Sequence, residues 1–184
     1  MPETIILALL YAKLRGYKIS GIFSSWTIYP LVIFEIITLM GQAISFGGHY
    51  ALIEIINKMT PVYLICYLLL VFKYDLYINA IIGSFFLILG GGLNDVAIKA
   101  NGGFMPVYQS LSYLTGRVTL EEYQMANDIH ILGNAETKVK FLTDFIDLGY
   151  TILSIGDVCM RVFVFIIIYN AIKKINNQRR KEGC

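Results

Sequence analysis

Long apolar stretches separated by short polar links dominate the chain. Residues 24–45 carry one charge, Glu35, and residues 76–98 and 150–172 are of the same kind. A membrane-crossing helix needs about 20 mostly apolar residues, with a range of roughly 17–25. Those three stretches have that length. Two shorter ones, 3–15 and 59–73, end at Arg15 and Lys73. They can cross by snorkelling of those ends or by local thinning of the bilayer. The pattern predicts an all-α protein: a polytopic membrane helix bundle of about five transmembrane helices. A long extracytoplasmic loop, 99–149, precedes the last span, and a basic tail, 173–184, follows it. One membrane domain, 1–184, accommodates all of this. Residues 49–58 place Ala51, Leu52, Ile55, Ile56 and Met59 at helical spacing and read as an interfacial helix. Thr119-Leu-Glu-Glu122 is a capping-box pattern that opens a short helix to about Asn127.

Composition agrees with the pattern. Of 184 residues, 57% are hydrophobic and 15% charged, and the mean hydropathy is +0.64. Soluble domains carry roughly 25% charged residues, so this chain lacks the solvated shell that a soluble fold requires. The net charge of +2 is too small to imply a nucleic-acid partner. The partner implied is the lipid bilayer. Met1-Pro2-Glu3-Thr4 has no basic start, and Lys13, Arg15 and Lys18 follow the first apolar run, so the segment reads as structure rather than a cleavable signal.

Charge asymmetry sets the orientation. Lys13, Arg15, Lys18, Lys73, Lys173, Lys174, Arg179, Arg180 and Lys181 fall on one side of the alternating links. The opposite side holds the acidic 99–149 loop. The basic side is expected in the cytoplasm. This makes a multi-pass cell-membrane protein with its N-terminus outside and its C-terminus cytoplasmic. Trp26, Tyr29, Tyr63, Tyr74, Tyr77 and Tyr150 fall near span ends, as an aromatic belt does.

Polar groups at membrane depth carry the functional signal, because burying them in hydrocarbon is costly. Glu35, Thr38, Gln42 and Ser45 share one helical face, as do Ser154, Asp157 and Arg161. In the fourth span Ala80, Gly83, Leu87, Gly90 or Gly91, and Asn94 form a face of small residues with a polar end. Glu35 and Arg161 both fall near the midplane at a rise of about 1.5 Å per residue. The expectation is an Arg161 paired with Glu35 and Asp157. The candidate ligand-binding residues are Glu35, Gln42, Asn94, Asn101, Asp157 and Arg161. Gly90-Gly91-Gly92 is a poor helix interior, at about 1 kcal/mol per glycine relative to alanine. It reads either as a break with exposed backbone or as a close helix contact. Asn101-Gly102-Gly103 reads as a tight turn. Ala8-x-x-x-Ala12 is a small-xxx-small pattern that suits a helix contact.

The segments Leu93-Asn94, Asn101-Gly102-Gly103, Met105-Pro106-Val107, Lys140-Phe141-Leu142-Thr143-Asp144 and Ser154-Ile155-Gly156-Asp157 resemble a family of small bacterial multi-pass membrane proteins catalogued as a domain of unknown function. The turn Leu14-Arg15-Gly16-Tyr17 is similar as well. The chain departs from that family's pattern at Phe104, where a basic residue is frequent, and at Thr143, where glycine is usual. The resemblance implies a bacterial membrane protein and no particular activity.

Chemistry-bearing motifs narrow the choice by exclusion. There is no phosphate-binding Gly-x-x-x-x-Gly-Lys-Ser/Thr loop and no His-Glu-x-x-His. Cys66 and Cys159 lie in apolar runs and Cys184 is the last residue, which gives neither a disulfide framework nor zinc spacing. No cofactor, metal site or catalytic residue is assigned. The sequence favours an integral membrane protein that binds or transports a small polar solute. Its outward-facing pocket would lie between spans two, four and five. The alternatives are an accessory membrane subunit with a structural ion-pair core, docked on a partner membrane protein, and an outer-surface enzyme. The enzyme would act on a lipid or peptide substrate with Asp144, Asp147, Asp157 and His130 as its acid–base groups.

Overall fold

The computed structural model describes residues 1–45, 59–114 and 129–182. The expected helices at 49–58 and 119–127, together with His49, Asp128 and Cys184, lie outside the described residues. The fold is mostly helical with few strands. In chain order the elements are α1 (Pro2–Leu14), α2 (Ser20–Phe23), a 3₁₀ turn (Trp26–Ile28), α3 (Tyr29–Ser45), α4 (Thr60–Lys73) and α5 (Tyr77–Ala100). Then come β1 (Met105–Val107), α6 (Leu111–Leu114), β2 (His130–Leu132), a 3₁₀ turn (Lys140–Leu142), β3 (Ile146–Asp147), β4 (Ile152–Leu153) and α7 (Ile155–Glu182). The chain groups into two compact units. One is Met1–Phe85 with Arg161–Cys184, and the other is Phe86–Met160.

Each of the five apolar stretches contains a helix, but among the described residues only α5 and α7 are long and apolar enough to cross a membrane. The helices α1, α3 and α4 have 13, 17 and 14 residues. The end of α1 and the start of α7 have local causes. Gly16, at φ +81°, ends α1: the amide of Gly16 bonds the Lys13 carbonyl at 2.9 Å and that of Tyr17 bonds Ala12 at 3.0 Å. This is a Schellman cap, which needs a residue in the left-handed region. The last helix starts at Ile155, not near 150, because Ile152–Leu153 pair as a strand and Ser154 caps the helix.

In the first unit, α1 and α7 run parallel. Arg161 meets Glu3 near their starts at 2.8 Å, and Tyr11 lies against Phe165 and Tyr169. Further along, Asn176 clamps the backbone of Lys18 through bonds of 2.8 and 3.0 Å. The Thr4, Ala8 and Ala12 face of α1 is buried, so small side chains let the helix approach closely. Helices α3 and α4 run antiparallel, with Lys73 on Ser25 at 3.0 Å at one end and Phe34 stacked on Tyr63 further along. Phe163, Val164, Ile167, Ile168, Ala171 and Ile172 of α7 form the buried core. Gly83 of α5 sits against the Phe163 ring and would collide with it as alanine. The outward face of α5 is apolar: Ile78, Ile81, Phe85 and Ile88 are 62–77% exposed. Apolar surface that continuous marks contact with lipid or protein rather than water.

The second unit holds the strands. β1 pairs in parallel with β2, matching Met105 to His130 and Val107 to Leu132. β3 and β4 pair antiparallel around Gly149. A small core of Ala97, Met105 and Leu142, with Leu93, Ile98 and Val139 against it, seats this layer on the C-terminal part of α5. The region expected as a plain outer loop is therefore partly ordered by strand pairing. Its turn at Asn101-Gly102-Gly103 stands as expected, with both glycines at positive φ.

Candidate functional site

The polar residues picked out along the chain fall into separate assemblies. Within the second unit, Asn94 and Asp157 come together. The Asn94 side-chain amide donates to Asp157 Oδ1 at 3.0 Å, and the Ser154 hydroxyl donates to Asn94 Oδ1 at 2.7 Å. The Ser154 amide donates to Asp157 Oδ2 at 3.0 Å, and the Asp157 amide to Ser154 Oγ at 2.9 Å. That reciprocal pair is a capping box. It satisfies two of the four orphan amides of α7 and places an acidic side chain at the positive end of the helix. Asn94 ties α5 to that cap. Gly156 makes the crossing possible, since a Cβ there would overlap Asn94 Oδ1 and the Gly90 carbonyl. Gly90 lies in an unbroken helix, Tyr77–Ala100. Of the two readings of the glycine triplet, the close contact is the one realised.

Asn101 is held in the same structural way. Its side-chain amide donates to the carbonyls of Ala97 at 2.8 Å and Lys138 at 3.0 Å, and its Oδ1 accepts from the Lys138 amide at 2.8 Å. Gln42 lies on α3, and its side chain is outside the described residues.

The 99–149 segment supplies two more buried carboxylates. His130 Nε2 stands 3.4 Å from Asp144 Oδ2. Asp147 accepts from the amides of Ser110, Ser112 and Gly149 and from the Ser112 hydroxyl, all at 2.6–2.8 Å. Burial alone would raise its pKa. The four donors outweigh burial and hold the carboxyl well below the usual range. So strong a clamp fixes loop geometry. No group of three or more metal-ligating side chains occurs among the described residues.

Glu35 and Arg161 belong to the first unit. Within this unit the expected arrangement is corrected: Arg161 bonds Glu3 at 2.8 Å, in place of Glu35. Glu3 was missed because it stands in the first turn of a short segment. Only the parallel packing of α1 on α7 delivers it to Arg161.

Glu35 is 8% exposed. Its Oε1 accepts the Tyr63 hydroxyl and lies 3.6 Å from the Met1 nitrogen. Each phenol has one hydrogen. With Tyr63 donating to Glu35, the 2.6 Å contact between the two phenols makes Tyr67 the donor to Tyr63. This chain of hydroxyls points at Oε1 alone. Glu35 Oε2 is buried and has no hydrogen-bond partner.

The same carboxylate lines a cleft of about 170 Å³ in the first unit. Its walls are Pro2, Ile5, Ile6 and Leu9 of α1, Ile22 and Phe23 of α2, Ile28, Leu31, Val32, Ile36 and Leu39 around α3, and Ile168 of α7. Glu35 is the one polar side chain among them. The space is hydrocarbon-lined, and Glu35 is the one ionisable residue that borders it.

A sequence model for one protein family matches residues 20–169. The chain belongs to DUF5317. This is a family of unknown function, so membership brings no assigned reaction or ligand. The match spans both compact units, and it covers Glu35 and Arg161 but not Glu3. No curated protein and no solved structure matches the chain.

Proposed function

We propose that this DUF5317 protein is a five-span cell-membrane protein, N-terminus outside and C-terminus cytoplasmic, that binds a small solute at Glu35. The observation that carries the reading is the buried, unpartnered Oε2 of Glu35, a residue that borders an otherwise apolar cleft. A buried carboxylate oxygen without a donor costs about 1–3 kcal/mol or more, and a ligand that brings a donor recovers that energy. The apolar walls select the rest of the ligand. Cavities of about 150 Å³ lined by aliphatic and aromatic side chains hold a benzene-sized molecule. A protonated amine on a body of about six carbons fits both demands. The solute is thus less polar than the sequence alone suggests. The polar face of α3 supplies its anchor, and the apolar faces of α1 and α3 supply its envelope.

Hexylamine tests this directly. Added to the full-length protein in detergent, it is expected to raise the thermal midpoint in a saturable way. Hexanoate, of the same length and opposite charge, is expected to leave the midpoint unchanged. Glu35→Gln keeps the shape and removes the charge, so it should abolish the hexylamine response. Equal responses to both probes, or a full response in Glu35→Gln, would defeat the proposal.

The closed network at Asn94, Ser154 and Asp157 favours a second reading, an accessory subunit whose polar core only fixes helix register. That reading expects no saturable response to any amine.

A further inference from the structure

The opposite, basic end of the first unit carries a second polar opening that the Glu35 site does not use. It is an open pocket of about 250 Å³ between α2, the C-terminus of α4 and the last turns of α7. Lys73 and Arg179 flank it, and Ser24, Ser25, Tyr74 and Gln178 contribute to its lining. Lys73 Nζ donates to Ser25 Oγ at 3.0 Å and lies 5.6 Å from the ring centres of both Trp26 and Tyr74. Hydroxyls and aromatic rings hold that ammonium in place but do not neutralise it.

Arg179 reaches over α2 because residue 21 is glycine. A Cβ at Gly21 would stand 3.2 Å from Arg179 Cζ and 2.6 Å from Ile175 Cγ2. No acidic side chain pairs with Lys73 or Arg179 among the described residues. The acid nearest to Lys73 in sequence, Asp75, faces Lys174 at 3.8 Å. Two uncompensated cations of different geometry therefore share one opening with serine hydroxyls.

We propose that this pocket binds a phosphate group, with Lys73 as a point charge, Arg179 as a planar two-donor fork and Ser24 as a hydroxyl donor. The chemistry follows from the donor set. Guanidinium and ammonium groups bind phosphate oxygens by charge-assisted bonds, and arginine adds bidentate geometry. The phosphate comes from an anionic phospholipid headgroup or from a soluble phosphate. The lipid source rests on the membrane reading above, in which this end lies at the cytoplasmic surface. There anionic lipids attract basic residues, and Trp26 and Tyr74 lie at headgroup level. The soluble source needs no membrane.

Trp26 is the single tryptophan of the chain and lies against Lys73, so its emission reports on the pocket. Dihexanoyl phosphatidylglycerol, dihexanoyl phosphatidylcholine and inorganic phosphate are titrated separately into the full-length protein in detergent. The expected result is a saturable emission change with phosphatidylglycerol and none with phosphatidylcholine. Affinity should be weaker by about tenfold in Lys73→Gln and in Arg179→Gln, the loss expected when one charge-assisted contact is removed. Both side chains are exposed, so the variants fold, and an unchanged thermal midpoint checks that. Arg15→Gln removes a charge from the same end outside the pocket and should bind as the parent does. A matching response to inorganic phosphate identifies the soluble source, and its absence identifies the lipid. The proposal is overturned by an equal response to phosphatidylcholine, by no response to either phosphate-bearing anion, by unchanged affinity in both pocket variants, or by an equal loss in Arg15→Gln.

Discussion

Asp147 shows how a single residue is tuned by its donors. Its carboxylate gathers three backbone amides and one hydroxyl, and these hold its folded pKa below the ordinary 3.8. A group with a depressed folded pKa stabilises the fold above its unfolded pKa, and that stability fades as the pH falls towards the folded value. Asp147→Asn keeps one acceptor and loses the charge, at a cost of about 1–3 kcal/mol near neutral pH. The gap between parent and variant should be constant from pH 7 to about pH 5 and should narrow below about pH 4. Thermal unfolding at pH 7, 5 and 3.5 measures it, and a gap of the same size at all three would show that the charge contributes nothing. At this scale the sequence was legible in part. Glu35 stood out as a lone charge in an apolar run, and the structure buries it. Asp157 stood out for the same reason, yet its side chain caps a helix. The signal that separates them was present: Ser154-x-x-Asp157 has the spacing read as a cap at Thr119–Glu122. Placing Ser154 inside a longer span concealed it.

Helix pairs depend on what their glycines touch, and the triplet at 90–92 divides on that criterion. Gly90 faces the Gly156 carbonyl and Met160, whereas Gly91 and Gly92 have nothing within 4 Å of a Cβ. An alanine at Gly156 must displace Asn94 or the α5 backbone, so Gly156→Ala should destabilise by about 1–3 kcal/mol, as overpacking of a close contact does. Gly91→Ala and Gly92→Ala meet no obstacle and raise helix propensity, for a gain of about 0.5–1 kcal/mol each. Urea or thermal melts of the three variants should therefore give opposite signs, a loss for Gly156→Ala and a gain for Gly91→Ala and Gly92→Ala. A destabilised Gly91→Ala would mean that the triplet has a role beyond packing. The sequence limited this segment to two readings and could not choose, because composition alone does not say which glycine meets another backbone. The partner, Gly156, is 66 residues away from Gly90, and only the crossing of α5 and α7 brings them together.

The alternation of helices is the property on which a membrane reading stands or falls. Five apolar stretches were legible as such and all contain helices. Some ends were less legible: Ser154 caps α7 inside an apolar run without changing its composition, whereas α1, capped at Gly16, ends within one residue of expectation. The contacts inside the first unit support the alternation. Lys18 meets Asn176, Ser25 meets Lys73 and Asp75 meets Lys174 at the basic end, while Glu3 meets Arg161 near the other. On the proposed five-span reading an odd number of crossings separates Met1 from the tail, with short α1 and α4 accommodated by thinning and snorkelling. The proposed five-span topology predicts that the 99–149 segment and the tail lie on opposite faces of the membrane. In a chain with Cys66, Cys159 and Cys184 replaced by serine, exposed Glu136 and Lys181 are changed to cysteine one at a time. A membrane-impermeant maleimide added to intact cells should label Glu136→Cys and leave Lys181→Cys untouched until the membrane is opened. A peptide tag fused ahead of Met1 should be reached from outside. The reverse labelling would invert the orientation and move the Lys73 and Arg179 pocket to the outer surface. A tag reached only after permeabilisation would mean that α1 does not cross.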